Sequence, residues 1–246
     1  MSTAEARREQ LKEVFKEASV CTRCPLSETR TNVVFGAGNA NADLMFVGEA
    51  PGANEDKQGL PFVGQAGKLL DKLLAEIGLE RSQVFIANVL KCRPPGNRDP
   101  RPQEIEACSD WLHHQVELIE PLVICTLGNF STKLLRGDPT GISKLHGQPE
   151  VLTIGPRAVR LFPIYHPAAA LYTPSMVDVL RSDFARLPEL LALPAPPQPA
   201  AEAIEPIPEP EEDLPAPQEA VPVAAAAGDD VPDWAEQPSA DQMGLF

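Results

Sequence analysis

Apolar positions follow two different periods through the first 192 residues of the 246-residue chain. Within residues 4–19, Leu11, Val14, Phe15 and Ala18 stand at i, i+3, i+4 and i+7, which places them on one face of an amphipathic helix. Short runs rich in Val, Ile, Phe and Leu occur at 43–47, 84–90, 122–127 and 159–165. Apolar runs of this length are the pattern of strands buried on both faces. Helical periods fall at 65–78, where Leu69, Leu70, Leu73, Leu74 and Ile77 are closed by Gly78, and at 102–119, 129–136 and 175–192. Strands alternating with helices imply an α/β fold, a three-layer α/β/α arrangement around a mostly parallel sheet of about four strands.

Composition divides the chain. It carries 21 Lys and Arg against 35 Asp and Glu, a formal net charge of −14. Residues 193–246 hold 12 of those acids and no Lys or Arg, which leaves residues 1–192 near −2. The acidic balance therefore does not exclude a nucleic-acid partner for the part that folds. The same 54 residues hold 12 of the 27 prolines, and such a segment buries too little apolar surface to offset its ordering entropy. The expected organisation is a domain at 1–192, a disordered Pro/Ala/Glu-rich linker at 193–240 and a distinct peptide at 241–246. No apolar run approaches the roughly 20 residues that span a bilayer, and Met1 to Glu17 is charged and helical in pattern, unlike a signal peptide. A soluble cytoplasmic protein with no membrane partner is expected, so its five cysteines are not read as a disulfide framework.

Cys21 and Cys24 form a C-x2-C pair after the first helix, Cys92 and Cys108 are separated by 15 residues, and Cys125 lies inside an apolar run. Cys125 reads as a small buried hydrophobe. The other four could ligate zinc, ligate an iron–sulfur cluster, or be unrelated structural thiols. The spread of the second pair favours a cluster that bridges distant segments.

The run at 43–47 leads directly into Gly48-Glu49-Ala50-Pro51-Gly52, then Glu55, then Pro61-Phe62-Val63-Gly64. In an open parallel sheet the ligand crevice lies beyond the carboxyl ends of the strands, so a site is expected here. The loop is neither a Walker loop nor a dinucleotide fingerprint. Asn88 and His166 leave their strands in the same way. Taken singly, Glu49 could cap a helix, Asn88 close a turn and His166 start a helix. Their shared placement at strand ends argues for one site.

These segments, with Asn88-Val89, Lys91-Cys92-Arg93-Pro94-Pro95 and His166-Pro167, resemble the family 4 uracil-DNA glycosylases, which carry a 4Fe-4S cluster. The resemblance covers about residues 10–192 and implies a cluster held by Cys21, Cys24, Cys92 and Cys108. It implies a monofunctional enzyme of base excision repair that flips uracil out of DNA and hydrolyses its N-glycosidic bond. Phe62 then stacks on the base, Asn88 reads the N3–H and O4 edge, and His166 donates to O2. Glu49 orients water, while Ala50 and Glu55 complete the pocket. None of the residues assigned to the base or the water is a Lys that could form a Schiff base, so no lyase step is expected. No His lies between Cys92 and Cys108, where relatives that trap DNA covalently carry one, so ordinary turnover is expected.

DNA contacts are expected from Lys91, Arg93, Arg98, Arg101, Lys144 and Arg157, with Leu171 or Tyr172 as a minor-groove wedge. The final Gln242-Met243-Gly244-Leu245-Phe246 resembles the short peptide by which bacterial repair proteins dock on the replicative sliding clamp. Gln242, Leu245 and Phe246 are its expected contacts, and the linker gives a reach on the order of 40 Å. The catalytic domain is expected to act as a monomer. Competing readings are a family 5 type of glycosylase, against which Glu49 argues, and a non-catalytic cluster-bearing DNA-binding module.

Overall fold

A computed structural model describes residues 3–199. Most of the expected linker, and the peptide with Gln242, Leu245 and Phe246, lie outside the described residues.

Six strands form one sheet: β1 (Ala37–Gly38), β2 (Leu44–Gly48), β3 (Phe85–Asn88), β4 (Val123–Leu127), β5 (Glu150–Ile154) and β6 (Arg157–Ile164). Their order is β1-β3-β2-β4-β6-β5. The inner four are parallel and coincide with the four apolar runs. The two edges are antiparallel and differ from the sequence expectation. β1 has only two residues, too few to show a period, and β5 is an edge strand exposed at Val151 and Thr153, so it lacks the apolar run of a buried strand.

Because side chains alternate along a strand, each strand feeds two cores. Met45, Val47, Phe85, Ala87, Ile124 and Leu161 pack with residues of α1 (Thr3–Ser19) and α4 (Pro102–Ile119), including Leu11, Phe15, Trp111 and Val116. Leu44, Phe46, Ile86, Val123, Cys125, Phe162 and Ile164 pack against α3 (Gln65–Glu76), α8 (Met176–Phe184) and α9 (Leu187–Ala192). This is the three-layer arrangement. Cys125 is fully buried, where burial pushes its thiol well above its usual range.

The helical stretch at 175–192 is two helices. Pro188 has no N–H for the carbonyl four residues before it, so α8 ends and α9 begins with the proline in its first turn. The domain also holds the chain past Leu193. Arg160 of β6 donates to the Leu190 and Pro194 carbonyls, and the Gln198 amide both donates to the Ala158 carbonyl and accepts its N–H. Those backbone groups lie where β6 extends beyond β4, and Gln198 satisfies them as a neighbouring strand would.

Candidate active site

The parallel strands end on one side of the sheet, and Gly48 pairs with Asn88 across β2 and β3. Glu49 follows β2, Asn88 closes β3, and His166 follows β6 as the first residue before α7 (Pro167–Tyr172). Together with Ala50, Glu55 and Phe62 they line one cavity of about 420 Å³. The short helix α2 (Ala53–Gln58) and the loop to α3 carry Glu55 and Phe62 to the same place.

Gly48 makes the convergence sterically feasible. A β-carbon there would stand 2.3 Å from Asn88 Oδ1 and 3.0 Å from the Phe62 ring. Asn88 is 2% exposed, and its side-chain amide has no protein hydrogen-bond partner among the described residues. An amide left without a partner at the wall of a cavity keeps its donors and acceptor available to a ligand. The Phe62 ring lies 5.5 Å from the His166 ring at 27°.

His166 accepts the Ala168 N–H at Nδ1, 3.0 Å away, as the cap of α7. The neutral ring therefore carries its proton on Nε2, which is left as a donor. Burial lowers its pKa to about 4, with Glu55 pulling the other way, so the imidazole is neutral at pH 7. Glu49 has its pKa raised, first by burial and then by the charge of Asp99. Glu55 uses Oε1 to accept the N–H groups of Val63 and Gly64 at 3.1 and 3.2 Å, so it braces the Phe62 loop as well as lining the cavity.

A second groove of about 700 Å³ opens from the same residues, sharing Glu49 and His166 and adding Asp99, Asn129, Phe130 and Lys133. Sequence reasoning missed Asp99 and Lys133. Both lie outside the strand-end motifs, and a charged residue in a loop or helix gives no signal of where it points.

A model described as the uracil DNA glycosylase superfamily matches residues 35–188, which contain every residue of this cavity. The chain belongs to that superfamily. It is 49% identical over 191 residues to the Type-4 uracil-DNA glycosylase of Sulfurisphaera tokodaii, across 76% of this chain and 87% of that protein. It is 47% identical over 186 residues to the Type-4 uracil-DNA glycosylase of Archaeoglobus fulgidus, across 74% of this chain and 94% of that protein. Similarity to the Type-5 uracil-DNA glycosylase of Pyrobaculum aerophilum is lower, 30% over 168 residues and 58% of this chain. No described helix is long and apolar enough to cross a membrane.

In this superfamily member the four dispersed cysteines also converge. Cys21, Cys24, Cys92 and Cys108 line one small void, together with Arg30, Lys91 and Trp111. Arg30 donates to Cys92 Sγ at 3.6 Å and to the carbonyls of Cys21 and Ser19, and the Lys91 backbone N–H donates to Cys108 Sγ at 3.3 Å. Burial pushes the Cys92 thiol up to about 12 and raises Cys108 as well, with Arg30 and Lys91 respectively pulling the other way. Among the described residues no three His, Cys, Asp or Glu side chains are grouped tightly enough to hold a single metal ion, so the four thiols share the wall of a void and not one ion's coordination sphere.

Several basic residues sit elsewhere than expected. Lys91 is 1% exposed and cannot meet a phosphate. Its ammonium points inward to the Asn88 carbonyl at 2.8 Å and Gln115 Oε1 at 2.6 Å, and burial lowers its pKa to about 8. Arg157 begins β6, at the opposite end of the sheet from His166, and pairs with Glu120 at 3.2 Å. Arg98 lines the cavity, but its guanidinium is committed to the buried Glu104 carboxylate at 2.9 and 2.5 Å. Arg93 holds Asn97 Oδ1 at 2.7 Å, whereas Arg101 and Lys144 are exposed. Leu171 and Tyr172 end α7 at 47% and 88% exposure.

Proposed function

We propose that this chain is a uracil-DNA glycosylase that binds an extruded uracil in the 420 Å³ cavity and hydrolyses its N-glycosidic bond. The observation that carries the reading is the Asn88 amide, nearly fully buried yet without a protein partner and facing the same space as Phe62 and His166. Its oxygen accepts N3–H and its nitrogen donates to O4, a pairing in which the exocyclic amine of cytosine meets the wrong group. Extrusion costs a few kcal/mol, and stacking on Phe62 returns roughly 1–3 kcal/mol.

Cleavage builds negative charge on uracil O2 and positive charge on the sugar. His166, neutral with its proton on Nε2, donates to O2 and stabilises the leaving base without giving up the proton. Glu49 orients water toward C1′ and offsets the sugar's charge, and the adjoining groove with Lys133 supports a path for the DNA strand. Arg93, Arg101, Lys144 and Lys133 contact phosphates, and Leu171 or Tyr172 fills the vacated stack.

Cys21, Cys24, Cys92 and Cys108 are the residues that would hold a 4Fe-4S cluster. Their convergence and the N–H donors to sulfur support the assignment. Such a cluster would act as a structural cross-link tying the end of α1 to β3 and α4. The clamp-docking role of Gln242, Leu245 and Phe246 rests on their sequence alone.

The test is incubation of the purified protein with a uracil-containing oligonucleotide followed by alkali. Strand scission at the uracil only after alkali is the expected result. Binding without any abasic site would instead support the non-catalytic module.

A further inference from the structure

The loop that carries Phe62 is held from two sides. Glu55 takes the N–H groups of Val63 and Gly64, while Arg81 takes the carbonyls that precede them. Arg81 lies in the 3-10 turn Arg81–Gln83 that precedes β3. Its guanidinium donates to the Pro61 carbonyl and, at 3.3 Å, to the Phe62 carbonyl, and pairs with Asp71 of α3 at 3.1 Å. Arg81 is absent from the cavity lining, so it acts on a ligand only through Phe62.

Phe62 needs such support. Its φ is +53°, in the left-handed region that residues with a β-carbon adopt rarely. A conformation of that kind persists only where its surroundings over-determine it. The helix beside it packs directly on this turn: a β-carbon on Gly67 would stand 1.7 Å from the Phe62 carbonyl oxygen, so only glycine permits the approach. The turn thus sets the aromatic ring beside Asn88 and His166, and the fixed carbonyl pair is what Arg81 grips.

The geometry points to Arg81 as a positioning residue for base recognition, whose guanidinium holds the left-handed Phe62 turn and through it the wall on which the base stacks. This inference rests on the uracil reading above. A stacking wall contacts the base in the ground state and the transition state alike, so its loss raises KM and leaves kcat nearly unchanged.

The experiment measures single-turnover excision, KM and inhibition by free uracil for the full chain, Arg81→Met, Arg81→Lys, Phe62→Ala and Arg81→Met with Phe62→Ala. Arg81→Met, which keeps the apolar stem, should weaken uracil inhibition and raise KM by about tenfold, within the worth of one stacked base. Arg81→Lys, still able to donate to one carbonyl, should recover part of the loss. The double variant should be no worse than Phe62→Ala alone, since Arg81 works through that ring. Additive losses in the double variant, or uracil inhibition at the wild-type level in Arg81→Met, would overturn the inference. If the wild-type chain neither excises uracil nor is inhibited by it, the glycosylase reading itself fails.

Discussion

Two cavities share the segment that follows β3, and they treat polar groups in opposite ways. Around the cysteines the donors are used. Arg30 spans two carbonyls and a sulfur, and Lys91 divides its ammonium between Asn88 and Gln115. In the Asn88 cavity the Asn88 amide and the Glu49 carboxylate have no protein partner among the described residues, and His166 has one nitrogen engaged. Paired buried groups fix a scaffold, whereas unpaired groups that face a cavity remain available to a ligand. The contrast separates what holds this domain together from what it recognises, although Asn88 and Lys91 are only three residues apart.

The largest expected effect falls on the saturated cavity. Cys108→Ala should lose both iron and soluble protein, whereas Cys125→Ala, on the other face of the sheet, should keep iron content unchanged; equal iron loss in both would show the ligand set to be wrong. On the recognition side, Asn88→Asp should keep iron and folding. It should slow uracil excision by about tenfold or more, the loss of one hydrogen bond turned repulsive, and raise excision of cytosine above background. Measuring both bases with one substrate pair checks this.

The next effect is a displacement in pH. In the role proposed for it, orienting water, Glu49 acts ionised, so the rate should fall as pH drops through its raised pKa. Asp99→Asn removes a like charge that disfavours the ionised form, and the acidic limb should move to lower pH. A limb that stays in place would remove Asp99 from the account. Smallest of all, Arg157→Gln should leave affinity for DNA at its wild-type value, because Arg157 belongs to the far end of the sheet; weaker binding would contradict that placement.

The four parallel strands and the long helices were legible because burial on both faces and a 3.6-residue period leave marks on sequence. The β5 edge and the break at Pro188 were not, since an exposed strand lacks the apolar run and a helical period passes across a kink. The convergence of these residues was legible where topology speaks: Glu49 and His166 follow strand ends and Asn88 closes one. Charge carried no such direction. Lys91 sits in a motif beside a cysteine and reads as a phosphate contact, yet four methylenes let its ammonium turn into the core. Arg81 left no trace, because gripping two carbonyls asks for no neighbouring residue type.

The most direct test of the central claim compares release of free uracil from duplex DNA by the wild-type chain and by His166→Ala at matched iron content. The neutral Nε2–H donor to O2 should make the variant slower by about two orders of magnitude in single turnover, the worth of one preorganised donor. Wild-type release by His166→Ala, or no release by the wild-type chain, would contradict the claim that this cavity cleaves uracil from DNA.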